Sequence, residues 1–208
     1  MTWQTWWVFF GAVFLLSGTP GPNMLHVMTR SVRFGARGSI PAMAGCLAAV
    51  VLVLSASAAG LAAVLVASPK LFDLLRYAGA AYLVYLGIKA WRDAEAPIDV
   101  GADTQLPTLS PAKLFRGGLM IGLSNPKLLL FAAAFLPQFV NANAAEAPQF
   151  AILVLTFALI EMFWYSVYGT GGQTLARYLA APRVKKAFDR LTGVIFVGFG
   201  IALLRHRA

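Results

Sequence analysis

Glu161 and Lys127 are two ionisable side chains set inside strongly apolar stretches, "FALIEMFWYSVYG" and "IGLSNPKLLLF". Charge within hydrocarbon is costly, so such residues mark either a structural pair or a functional site. Glu161 has the chemistry to take a proton, or a ligand's ammonium group, in one conformation and release it in another. Lys127 follows Asn125-Pro126, and a similar interruption, "SGTPGPNML", places Pro20-Gly21-Pro22-Asn23 inside the first apolar stretch. Proline removes a backbone donor and clashes with the preceding turn, so each stretch predicts a broken helix. New helix N-termini near Asn23 and Lys127 would each present unpaired N–H groups and roughly half a unit of positive charge. That arrangement suits an anion such as a carboxylate. Pro20, Gly21, Pro22, Asn23, Asn125, Pro126 and Lys127 are therefore the binding candidates, and Glu161 is the candidate for proton coupling or ammonium binding. Plainer readings stand beside these: a proline kink that only improves packing, and a Lys127–Glu161 pair that only fixes two helices together.

Smaller signals surround these residues. Ser17, Thr19, Asn23, Ser124 and Asn125 are small polar groups that either orient a ligand or cap freed backbone. His26, three residues after Asn23, is read as an interfacial histidine among the headgroups, with a proton relay as the alternative. Gly79, Gly87, Gly193, Gly198 and Gly200 predict close helix packing. The single cysteine, Cys46, excludes an intrachain disulfide and a Cys-based metal cluster. His26 and His206 are too few and too far apart for a zinc site, so neither metal nor cofactor is expected.

The elements that hold such residues must lie in a membrane. Of the 208 residues, 59% are hydrophobic and 12% charged, against about 25% charged in an average soluble domain. The net charge of +9 would suggest nucleic acid in a soluble protein, but here the basic residues fall mostly between apolar runs. A helix needs about 20 apolar residues to cross the hydrocarbon, and six segments qualify: about 5–28, 39–66, 70–91, 114–137, 148–171 and 187–204. The N-terminus has no basic n-region, and its apolar run outlasts that of a signal peptide, so it is read as a retained span. Trp3, Trp6 and Trp7 suit the membrane–water interface.

One polar interval, residues 92–113, divides this single polytopic membrane domain into repeat A, about 5–91, and repeat B, about 114–204. With three helices each, the halves would insert with opposite orientation, the inverted repeat of many secondary transporters. The proline breaks fall at matching places in helices 1 and 4, and "GIKAWR" (87–92) echoes "GIALLR" (200–205). Arg30, Arg33, Arg37, Lys89, Arg92, Lys113, Arg116, Arg177, Arg183, Lys185, Lys186 and Arg190 share one side. Lys70, Arg76, Arg205 and Arg207 lie on the other. The positive-inside rule then puts both termini outside the cytoplasm. A re-entrant helix 1 would instead give five spans and an internal N-terminus.

"PGPN", "GARGSIPAMAGCLAAV", "GAAYLVYLGIKAWR", "NPKLLLFAAAFLPQF" and the acid before an aromatic pair in helix 5 together resemble the LysE/RhtB family of amino-acid exporters, nearly end to end. The resemblance implies an all-α protein of six transmembrane helices in a prokaryotic cytoplasmic (inner) membrane, exporting an amino acid or close derivative on the proton gradient. It implies no enzyme activity and leaves homo-oligomerisation open. Basic-amino-acid exporters of this superfamily carry an aspartate early in helix 2 and another after the NP of helix 4. Here "MAGCLAAV" and "NPKLLLFAA" contain no acid. The chain is therefore closer to the homoserine, threonine and leucine exporters. A cationic substrate side chain would also need a buried anion, and only Glu161 offers one at mid-membrane. The competing classes are a passive channel, an exporter of another small metabolite, and an intramembrane enzyme. A thiol-oxidoreductase needs two cysteines, and rhomboid-type proteolysis needs a GxSx nucleophile with a histidine in a later span; neither requirement is met.

Overall fold

In a computed structural model the chain is all-α, with no strand among the described residues. These are 1–92, 109–141, 143–181, and residues 183, 184, 186, 187, 190, 191, 193, 194, 197, 198 and 201. The helices are α1 (Trp3–Gly18), α2 (Pro22–Gly38), α3 (Ile40–Ala67), α4 (Pro69–Arg92), α5 (Pro111–Leu123), α6 (Pro126–Ala134) and α7 (Glu146–Ala180). A 3-10 turn, Leu136–Phe139, follows α6. The described residues from 183 to 201 are helical. Residues 93–108 of the predicted polar interval, and part of the sixth segment, lie outside the described residues.

Proline places the helix starts. Pro111, Pro22 and Pro126 each open a helix at its first turn, where a missing N–H forfeits no bond. Both predicted interruptions are present. α1 and α2 meet at 49°, and α5 meets the α6–turn segment at 51°. The first segment runs further than the sequence reading gives, to Gly38 instead of about 28. Arg30 and Arg33 therefore sit on α2 instead of in a loop. The reason is that "TRSVRF" stays helical while turning amphipathic, so the helix continues beyond the apolar run, with a break at the non-helical Gly35, φ +73°, before the last residues to Gly38. α7 likewise extends to Ala180 across a non-helical Gly172 at φ +37°.

Ile40–Val64 and Glu146–Gly172 are each long and apolar enough to span, and each bent pair adds one more where its two helices form one broken span instead of a re-entrant loop. That gives two to four among the described residues. α4 is 24 residues long, but its charged residues, Lys70, Asp73, Arg76, Lys89 and Arg92, leave a shorter apolar centre. The outward surface is inverted relative to a water-soluble protein: Leu52, Leu155 and Met120 are all more than half exposed. Trp3 and Trp7 also face outward, beside a stacked Trp6.

Two apolar cores flank the first break. One unites Phe9, Val13 and Leu16 of α1 with Val50 and Leu54 of α3, Phe131 and Phe135 near α6, and Leu153, Phe157 and Ile160 of α7. The other joins Met24, Val27 and Met28 of α2 to Cys46, Tyr165 and Tyr168. Bare glycine backbones bring α3 and α5 together: a Cβ at Gly118 would stand 2.2 Å from Ala42 O, and one at Gly45 2.1 Å from Phe115 O. Gly87 and Gly193 also approach closely, each Cβ position 2.7 Å from the other's carbonyl, as the packing expectation required. Gly198 has no such neighbour. Gly118→Val should force α3 and α5 apart at a cost of about 2–3 kcal/mol. Loss of a monodisperse detergent-solubilised species on heating would report it.

Candidate functional site

The two interruptions meet. Asn125 Nδ2 donates to Asn23 Oδ1 at 3.0 Å, and Asn23 Nδ2 donates to the Tyr165 hydroxyl at 3.0 Å. Asn125 Oδ1 in turn accepts from Lys127 N at 3.0 Å, capping α6. An unbroken chain of side-chain amides thus links α6, α2 and α7. All three participating side chains are buried.

The carbonyls released where α1 ends find donors within the protein. Lys127 Nζ donates to Leu16 O at 2.6 Å, Thr19 Oγ1 at 2.7 Å and Thr19 O at 3.3 Å. The Tyr168 hydroxyl donates to Gly18 O at 2.8 Å. A cation at a helix C-terminus meets the negative end of the peptide dipole, so the second half of the protein stabilises the break in the first. With three acceptors held, the ammonium forms no direct ion pair with Glu161 among the described residues. In place of the plain pairing that the sequence left open, both side chains border one cavity.

That cavity is lined by Ser17, Gly21, Asn23, Asn125, Lys127 and Glu161, with Leu16, Met24, Val50, Leu128, Phe131 and Phe157 as its apolar wall. Of the candidate residues, Pro20, Pro22 and Pro126 do not line it; they shape the backbone that does. The space open to the centre of a water-sized sphere is about 20 Å³, enough for about one water molecule and less than any amino acid needs. The polar groups therefore crowd a narrow space. Ser17 Oγ, only 1% exposed, makes no hydrogen bond of good geometry among the described residues but lies beside the Glu161 carboxyl group. The two new N-termini also differ. Asn125 caps α6, whereas α2 has no side-chain cap, so the Asn23 and Met24 N–H groups remain the better anion donors.

His26 departs from its expected place among the headgroups. It is 7% exposed and packs between α2 and α5, where a Cβ on Gly117 would lie 3.6 Å from its ring. Because α2 continues well past residue 28, position 26 is one turn inside a packed helix.

The LysE type translocator family matches residues 7–207. The chain belongs to that family. Among relatives of this LysE-type chain, the homoserine/homoserine lactone efflux proteins of Salmonella typhimurium and Salmonella typhi are each 33% identical over 208 residues, covering 99% of this chain and 100% of theirs. An uncharacterized membrane protein of Vibrio cholerae is 31% identical over 205 residues, covering 99% and 98%. No solved structure matches the chain.

Tyr165 and Tyr168 were not singled out by sequence, although Glu161, Tyr165 and Tyr168 at i, i+4 and i+7 share one helical face. Ser17 was seen only as one small polar group among several. Asn23→Leu, close in size, should interrupt the amide chain and strand the Asn125 amide. Transport by this LysE-type protein should fall at least about tenfold, with thermal stability lower by about 1–3 kcal/mol. Flux and melting measured on one preparation check both.

Proposed function

We propose that the chain exports a neutral amino acid or close derivative, of the homoserine, threonine or leucine kind, across the prokaryotic cytoplasmic membrane. The carrying observation is the meeting of two proline breaks in one narrow polar cavity. End-to-end similarity to proteins named for homoserine and homoserine lactone efflux supports the substrate class.

In this reading the substrate carboxylate lies against the uncapped start of α2 and the Ser17 hydroxyl, within the break framed by Pro20, Gly21, Pro22 and Asn23. Asn125, Pro126 and Lys127 form the facing break. Glu161 takes the ammonium, or a proton when the substrate has left, which couples export to the proton gradient. The halves on either side of the polar interval are inverted three-helix repeats of one six-span domain. The similar bends of 49° and 51°, the contact between the two breaks, and the Gly87–Gly193 approach support that relation. The surplus of basic residues on one side supports termini outside the cytoplasm. Rocking of one half against the other would widen the narrow cavity toward alternate sides.

The test is accumulation of labelled homoserine, threonine, leucine and lysine in cells with and without the protein. Lower internal levels of a neutral amino acid, abolished by collapsing the proton gradient, are expected. Unchanged levels of all four compounds, or a single-channel current from the purified protein, would overturn the reading.

A further inference from the structure

Three buried side-chain atoms have no hydrogen-bond partner among the described residues: Ser17 Oγ, His26 Nε2 and Arg30 Nε. Buried donors are rarely left unpaired, so each requires an explanation. Ser17 is accounted for by the cavity. The other two lie beyond it on one side, and their positions are ordered. Asn23, His26 and Arg30 stand at i, i+3 and i+7 on α2, hence on one face of that helix. At 1.5 Å per residue, His26 is about 4–5 Å and Arg30 about 10 Å along the axis from the cavity's Asn23. The same helix ends in Arg33 and Arg37, on the basic side of the protein. Across from His26, α5 presents Gly117, whose missing side chain leaves the imidazole facing bare backbone.

We propose that His26 and Arg30 form a second station for the substrate carboxylate, lying between the basic side and the central cavity. The inference rests on the export reading above and specifies how the substrate enters. Arg30 offers a guanidinium fork that matches a carboxylate, and the imidazole Nε2 offers one further donor. The carboxylate is drawn from the basic side to Arg30, shared with His26, and then handed to the N–H groups at the start of α2. Each transfer is shorter than two helical turns, so the negative charge is never left in apolar surroundings without a donor. The station recognises a carboxylate and makes no use of the ammonium.

Chemistry separates this role from a structural one. Homoserine has a free carboxylate, whereas in homoserine lactone that group is tied up as an ester. Inside-out membrane vesicles, with the basic face outward, should be assayed for saturable uptake of each labelled compound by wild type, Arg30→Gln, Arg30→Lys and His26→Leu. The expected result for Arg30→Gln and His26→Leu is a homoserine KM raised about tenfold or more, with kcat within twofold and the lactone KM within twofold. Arg30→Lys, which keeps the charge without the fork, should fall between wild type and Arg30→Gln. A homoserine KM within twofold of wild type in both Arg30→Gln and His26→Leu overturns the proposal. So does an equal rise for both compounds, which marks a packing defect. A wild type that moves neither compound, though correctly inserted, defeats the export reading and takes this station down with it.

Discussion

Glu161→Gln is expected to abolish proton-driven export, with flux reduced at least about a hundredfold, while insertion and folding stay intact. The carboxyl group borders the central cavity at 7% exposure, beside Ser17 and Tyr165. Glutamine keeps the shape of that side chain and resembles its protonated form, and it can neither carry a charge nor release a proton. A role confined to packing predicts unchanged export. A role in taking up a proton or an ammonium predicts that the pH dependence disappears along with the flux. Counterflow in proteoliposomes, where labelled and unlabelled substrate exchange without net proton movement, divides the second case. Surviving exchange assigns Glu161 to the proton, and lost exchange assigns it to the ammonium. Net export with an unaltered pH profile would remove it from both.

Lys127→Met should have the largest effect on stability. The ammonium donates to two carbonyls and one hydroxyl where α1 ends, and methionine replaces it with a chain of similar length that can donate nothing. Leu16 O retains the Thr19 N–H and hydroxyl, but Thr19 O loses the only donor it has among the described residues. Removing one partner of a buried charged network costs about 3–5 kcal/mol, expected here as a melting transition lowered by well over 5 °C and export lost. A double-variant cycle sharpens the point. If Lys127 also balances the Glu161 charge across the cavity, adding Glu161→Gln should return part of the lost stability. If it serves only the α1 carbonyls, the two effects will add.

The proline breaks were legible in sequence because proline acts locally: Pro22 and Pro126 must open helices wherever the rest of the chain goes. That the breaks would lie against each other followed from the inverted-repeat reading, and the Asn23–Asn125 bond agrees with it. The reach of Lys127 to α1 was not legible. Its partners are carbonyls more than a hundred residues away, and main-chain acceptors leave no mark in sequence. The end of the first segment was misplaced for a related reason. Hydropathy marks where a helix leaves hydrocarbon, whereas hydrogen bonding decides where it stops, so α2 carries Arg30 and Arg33 on past the apolar run. His26 was assigned to the headgroups on that shortened boundary. In "EMFWYSVY" nothing local distinguishes the half-exposed Phe163 from the buried Tyr165; only helical spacing from Glu161 selects the tyrosine.

The unlike walls of the cavity have a stereochemical consequence. Glu161 stands on α7, the free N–H groups belong to the start of α2, and Val50, Leu128, Phe131 and Phe157 supply the apolar surface. In the proposed binding mode these three surfaces would take the ammonium, the carboxylate and the side chain around one tetrahedral carbon. Three distinct contacts fix the fourth direction, so the space has a hand. In that binding mode, exchanging the side chain with either charged group would place charge against hydrocarbon, and exchanging the two charged groups would set the carboxylate against Glu161, so the mirror image would be rejected by charge as well as by shape.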